Sequence, residues 1–166
     1  WEWGNYYGDA KMKGAKLDIS KWKRPSPETI PSHAKAAGLY MICTMSKHAA
    51  EAKGCSDAMM FDYRGYVAEA TGANIFFVKD GEVHTPLADA FLNGLTRQTV
   101  IGMLRDLQIK VHERHIMPAE LESFEQCWLT GTAAEATPVG QIGDYTFEVG
   151  ALTRNISESY EKLVRQ

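Results

Sequence analysis

What this 166-residue sequence lacks narrows the field first. It has only three cysteines, Cys43, Cys55 and Cys127, an odd number at wide spacing with no C-x-x-C pair. That argues against a disulfide framework and for a reducing compartment, so a cytoplasmic location is expected. Neither sign of charge dominates: 18 basic residues against 21 acidic ones leave a net −3. Nucleic acids and anionic membranes call for basic surface, so neither is expected as a partner. No apolar run approaches the roughly 18 residues that span a bilayer, and no leader peptide is expected. The common phosphate-loop, dinucleotide, nucleophile-elbow and H-E-x-x-H patterns are all missing. His112 and His115 are three apart, but Ile109 to Glu113 alternates like a strand, which sends them to opposite faces, and no Cys or Asp completes a ligand set. No metal site is expected.

What is present is ordinary globular composition, 45% hydrophobic and 23% charged, enough to build a core without metals or disulfides. The first residue is Trp1, not Met. The chain is therefore read as the later part of a longer protein.

Residues 1–31 are rich in aromatic, basic and Pro residues, and read as an extended inter-domain segment with turns and one short helix. A helix is expected from Gly38 to Lys53, closed by Gly54, with Tyr40, Cys43, Met45 and Ala49 as its inner stripe. Strands follow at Asp57–Asp62 and Tyr66–Ala70 around Arg64-Gly65, then at Asn74–Lys79 and Glu82–Thr85 around the hairpin pair Asp80-Gly81. After Leu92 to Thr96, a helix carries Val100, Ile101, Leu104 and Leu107 on one face. Ile109–Ile116 reads as a strand, Pro118 opens a short helix to Phe124, and Gln126–Leu129 is another strand. A Gly-rich hairpin near Gly143-Asp144 precedes a closing helix lined by Leu152, Ile156, Tyr160 and Leu163. The mixture is α+β.

Four local features could carry chemistry. Gly94-Leu95-Thr96 precedes a helix whose free N–H groups attract an anion. Gly131-Thr132-Ala133 follows a strand and offers N–H groups and a hydroxyl. Lys35 lies among small residues, where a ligand can approach closely and a buried amine can form a Schiff base. Glu69 lies mid-strand between alanines, where a buried carboxylate needs a partner. Taken singly, each has an ordinary explanation: a capped turn, a surface lysine, an outward-facing carboxylate.

Their joint spacing resembles the fold-type IV pyridoxal-phosphate enzymes, the class IV aminotransferases. The family signature is matched by Glu69-Ala70-Thr71-Gly72-Ala73-Asn74-Ile75-Phe76, then Val83-His84-Thr85, then Leu92-Asn93-Gly94-Leu95-Thr96-Arg97. The resemblance runs from about Thr29 to the C-terminus. Two stretches make the chain most similar to branched-chain amino acid aminotransferases: the lysine segment Thr29 to Tyr40, and the loop Gly131-Thr132-Ala133-Ala134-Glu135-Ala136-Thr137-Pro138.

The resemblance implies a mixed, largely antiparallel pseudo-barrel sheet with flanking helices, and a cofactor-binding domain at residues 32–166. It implies pyridoxal 5′-phosphate as cofactor, with Lys35 forming the Schiff base and moving the proton in catalysis. It places Tyr40 on the cofactor's phenolic oxygen, Glu69 on the pyridine nitrogen and Leu92 against the ring. Leu95, Thr96 and Thr132 would bind phosphate, and Thr132 with Ala133 the substrate carboxylate. The implied reaction is amino transfer between leucine, isoleucine or valine and 2-oxoglutarate, in branched-chain amino acid biosynthesis, by a homodimer or higher homo-oligomer. The alternatives are a D-amino acid or amine transaminase, an aminodeoxychorismate lyase, or an incomplete fragment that only folds and dimerises. The sequence departs from the family pattern at Leu39, Ala73 and Asn93, where Asn, Glu and Pro are common. Family members also carry an N-terminal domain that supplies a phosphate-binding Arg. Arg24 is the nearest basic residue here, but it matches no motif and receives no role.

Overall fold

The structure, a computed structural model, describes residues 13–165. Its elements in chain order are β1 (Ala15–Ile19), a 3-10 helix (Ala37–Leu39), α1 (Met41–Glu51), β2 (Asp57–Phe61), β3 (Val67–Ala70), β4 (Asn74–Lys79) and β5 (Glu82–Pro86). They continue with α2 (Leu95–Asp106), β6 (Val111–Arg114), a second 3-10 helix (Pro118–Ser123), β7 (Gln126–Gly131), β8 (Glu135–Ile142), β9 (Tyr145–Thr146) and α3 (Ala151–Val164). Among the described residues, no helix is long and apolar enough to cross a membrane.

All strands join one sheet in the order β3-β2-β1-β8-β7-β4-β5-β6, with β9 on β8. Pairings β1–β2, β1–β8 and β5–β6 are parallel and the other five antiparallel. The sheet is curled. Strands β3 and β4 lie far apart in the sheet order, yet only Thr71, Gly72 and Ala73 separate them in sequence, and Ala70 N–H donates to Ala73 C=O at 2.8 Å. A three-residue connection closes that gap only if the sheet bends back on itself.

Period-2 alternation then sorts side chains to two cores. Ile75 and Phe77 of β4 join Leu129, Cys127, Leu17, Met59 and Val139 inside the curl. Phe76, Val78 and Trp128 face the other way and are covered by Val100, Ile101 and Leu104 of α2 and Ile156 and Tyr160 of α3. Phe76 and Trp128 stack with centroids 5.3 Å apart, as their register pairing requires. Asp80 and Gly81 both take positive φ, the backbone that a two-residue hairpin demands.

Several expectations are corrected. The buried stripe of α1 is Cys43, Ser46 and Ala50, while Met45 and Ala49 are exposed. Ser46 tolerates burial because its hydroxyl bonds Ile42 C=O and meets Ser20 Oγ. Leu107 and Leu163, expected on the inner faces of their helices, are exposed: each stands at the C-terminal end of its helix. Strand β8, not expected from the sequence, is eight residues long and lies between β1 and β7, hidden in a stretch that contains Pro138 and Gly140. Within residues 13–31 the chain forms turns and β1, an inner strand parallel to both neighbours, and no helix; the first twelve residues of that segment lie outside the described residues.

Candidate active site

One cavity of about 290 Å³ collects most of the residues singled out in the sequence. Its position follows from the sheet. In the β4–β7 ladder Asn74 is paired with Thr130, so the Thr71-Gly72-Ala73 turn and the Gly131-Thr132 turn leave the sheet at the same end. The segment Ala34 to Tyr40 and the N-terminus of α2 close the remaining sides.

Lys35 lies two residues before the first 3-10 helix, outside any helix or strand; it is exposed, lines the cavity and makes no ion pair among the described residues. Tyr40, at the end of that helix, is half-buried beside it. Its hydroxyl is shifted above the usual phenol range, first by burial and then by the neighbouring Glu69 and Cys43.

Glu69, on β3, is 7% exposed. Asn74 Nδ2 donates to its Oε2 at 3.1 Å. Arg24 Nε stands 3.2 Å from its Oε1, an ion-pair distance without hydrogen-bond alignment. Burial outweighs the arginine, and the carboxyl is pushed up to about 8, with Asp57 adding to the rise. A carboxyl whose folded value lies above its unfolded 4.5 favours folding below 4.5, and that contribution is lost as pH rises toward 8. The expected outcome is that urea midpoints of the ligand-free protein fall between pH 5 and pH 8. In Glu69→Gln that fall becomes shallower; an unchanged slope would remove Glu69 as its source.

Gly94 is the N-cap of helix α2, and no side chain caps its first turn. The first N–H groups of any helix have no partner within it, and here those of Leu95 and Thr96 stand at the cavity. Gly94 is required by close approach: a Cβ there would stand 2.5 Å from Asn74 Oδ1. Asn74 ties the site together. Besides Glu69 it donates to Leu92 C=O at 2.9 Å and accepts from Gly94 N–H at 3.2 Å. Leu92 thus lines the cavity, on a loop fixed at both flanks. Thr132 also lines it, while Ala133 is exposed on the same turn but outside the lining.

The structure therefore brings together Lys35, Tyr40, Glu69, Leu92, Leu95, Thr96 and Thr132, and leaves Ala133 at the rim. Among the polar lining residues to which the sequence assigned no role are Arg24 and Asn74. Asn74 could have been found as the polar residue that follows the small run after Glu69. Arg24 carries no such signal. His112 and His115 acquire different partners. His115 stacks on Tyr66 and meets Asp89, while His112 stacks on His84 and meets Glu82 at 2.6 Å. The atoms of Glu82, His84 and His112 lie close enough together to hold a metal ion, a juxtaposition that the spacing of His112 and His115 did not suggest. They are already engaged by Lys110 and Arg114.

A cavity with an amine on one wall, a buried carboxylate on another and an uncapped helix N-terminus on a third is suited to an aromatic aldehyde bearing an anion. Known proteins point the same way. The model of the amino-transferase class IV family matches residues 5–142, so the chain belongs to that family. It is 39% identical over 158 residues to the probable branched-chain-amino-acid aminotransferase of Rickettsia conorii, covering 93% of this chain and 54% of that protein. It is 34% identical to the branched-chain-amino-acid aminotransferase of Pseudomonas aeruginosa, covering 99% and 55%. Among solved structures, the branched-chain aminotransferase of Thermoproteus uzoniensis with norvaline superposes with a TM-score of 0.93 at 35% identity, covering 99% of this chain and 55% of that one. The chain spans about half the length of the relatives it matches. The expected fold, a mixed and largely antiparallel curled sheet with flanking helices, is the one observed.

Proposed function

We propose that this chain is the cofactor-binding part of a pyridoxal-phosphate-dependent branched-chain amino acid aminotransferase. The whole protein would exchange the amino group of leucine, isoleucine or valine with 2-oxoglutarate, in the cytoplasm and as a homodimer or higher homo-oligomer. The observation that carries this reading is the convergence of Lys35, Glu69 and the α2 N-terminus on one cavity. Solved relatives support the cofactor: one branched-chain amino acid aminotransferase is complexed with N-(5′-phosphopyridoxyl)-L-glutamate, and a Brucella abortus aminotransferase is bound to PLP. We assign residues 32–166 to the cofactor-binding domain and add β1 and Arg24, which the sheet incorporates.

The residues present fit the group. The uncapped first turn of α2, with Leu95 and Thr96, and the Thr132 hydroxyl would take the phosphate. Leu92 would pack on the ring, Tyr40 would donate to its phenolic oxygen, and Glu69 would meet its nitrogen. Thr132 and the Ala133 backbone at the rim would receive the substrate carboxylate. When bound, pyridoxal phosphate supplies an aldehyde carbon that accepts an amine and a protonated ring that withdraws electrons. Lys35 would supply the amine that holds it and would move the substrate's Cα proton. Glu69 would hold a proton at the ring nitrogen.

Initial rates of the full-length protein with L-leucine, D-alanine and aminodeoxychorismate test the substrate class. Turnover of L-leucine with 2-oxoglutarate is expected to exceed the others by on the order of 10²-fold. A preference for D-alanine or for the lyase substrate would replace this reading with another reaction of the same fold.

A further inference from the structure

We propose that Arg24 is a positioning residue for Glu69, whose guanidinium stabilises the carboxylate so that the proton shared with the cofactor's ring nitrogen sits on the ring. The inference rests on the cofactor reading above. Arg24 is 4% exposed and lies beyond β1, held there by its backbone N–H donating to Phe61 C=O at 2.8 Å. Its Nη1 donates to Leu39 C=O at 3.3 Å and to Cys43 Sγ at 3.0 Å. Neither acceptor is a carboxylate. Among the described residues, Glu69 is the one carboxylate within ion-pair distance of Arg24, at 3.2 Å. A buried cation with one anionic neighbour acts chiefly on that neighbour.

The other groups that act on Glu69 are named readily. Asp57, on β2, opposes ionisation. Tyr40 lines the cavity and Cys43 accepts from Arg24; each titrates above its usual range, so both stay uncharged near neutrality. Asn74 donates to Oε2 and is neutral. Lys35 lines the same cavity from the exposed side. Arg24 is thus the buried cation that favours the charged carboxylate, and burial otherwise drives Glu69 toward its neutral form. A carboxyl and a pyridine nitrogen in contact share one proton. Without a cation behind the carboxylate, that proton would stay on oxygen and the ring would lack its electron-withdrawing charge.

The experiment uses the full-length protein and the variants Arg24→Met, Arg24→Lys and Glu69→Gln. In cofactor-free protein, the infrared carbonyl band of protonated Glu69, identified by its loss in Glu69→Gln, is titrated against pH. Arg24→Met is expected to raise the midpoint by about one pH unit or more, and Arg24→Lys to recover most of the shift. With ¹⁵N-labelled cofactor bound, the ring-nitrogen resonance is expected to move from protonated to unprotonated in Arg24→Met and back in Arg24→Lys. Midpoints equal to wild type in both variants would overturn the proposal. If Arg24→Met does not fold, Arg24→Gln, which keeps hydrogen-bonding capacity without the charge, replaces it: its midpoint is expected to rise likewise, and a midpoint equal to wild type overturns the proposal. Wild-type protein that takes up no cofactor would defeat the functional reading instead, and is seen separately as an absence of visible absorbance.

Discussion

Lys35→Ala is expected to reduce transamination by about 10⁴-fold or more, since on the proposed reading one amine would both anchor the cofactor and move the proton. The side chain is exposed and makes no ion pair among the described residues, so nothing in the fold depends on it. Its removal should shift stability by less than about 0.5 kcal/mol. The measurement pairs initial rates of the full-length variant with borohydride trapping followed by peptide mapping. In wild type, reduction should fix the cofactor to Lys35; in the variant, the visible chromophore should be altered and no peptide labelled. Full activity in Lys35→Ala would defeat the assignment. Thermal unfolding alongside it separates loss of chemistry from loss of fold.

The second large effect belongs to Arg97, the last residue of the family signature. It is 1% exposed and reaches three acceptors: Asn93 Oδ1 at 2.9 Å, Pro86 C=O at 2.9 Å and Glu113 Oε2 at 3.0 Å. These belong to the loop before α2, to β5 and to β6. One guanidinium therefore ties the loop that carries Leu92 to the sheet. Burial works against its charge, while Glu113 supports it. Arg97→Met keeps the bulk and removes the donors, leaving a buried carbonyl and a loop amide without their partner. The expected cost is about 3 kcal/mol of unfolding free energy, read by urea denaturation at pH 7. Weaker cofactor affinity should accompany it, because Asn93 and Leu92 lose their tether on one side. A variant with wild-type stability and affinity would show the tether to be dispensable.

These two residues mark different kinds of legibility. Lys35 and Arg97 were both readable as positions in a spaced pattern. The reach of Arg97 to β5 and β6 was not, since it depends on β5 and β6 lying in parallel register. The α1 stripe shows the same limit. Periodicity located the helix, but the face turned inward is chosen by what it covers, and Ser46 was buried in place of Met45 because Ser20 and the Ile42 carbonyl receive its hydroxyl. β8 was not expected at all. Its apolar residues are interrupted by Thr137, Pro138, Gly140 and Gln141, and its strand character comes from β1 and β7 on either side. Arg24 lies 45 residues from Glu69 in sequence, and no local pattern connects them.

By itself the sequence determined the family and the candidate groups: a lysine among small residues, a carboxylate in an apolar strand, and two Gly-Thr turns, at spacings that one family shares. Such features survive in one dimension because each depends on a local backbone requirement. The tertiary structure alone decided which of them meet. The curl of the sheet brings β3 back to β4, the Asn74–Thr130 pairing sets two turns side by side, and the chain after β1 delivers Arg24 behind Glu69. The physical reason is that strand register and burial are settled by partners distant in sequence, and the ionisation of a buried carboxylate is settled by which charges those partners bring.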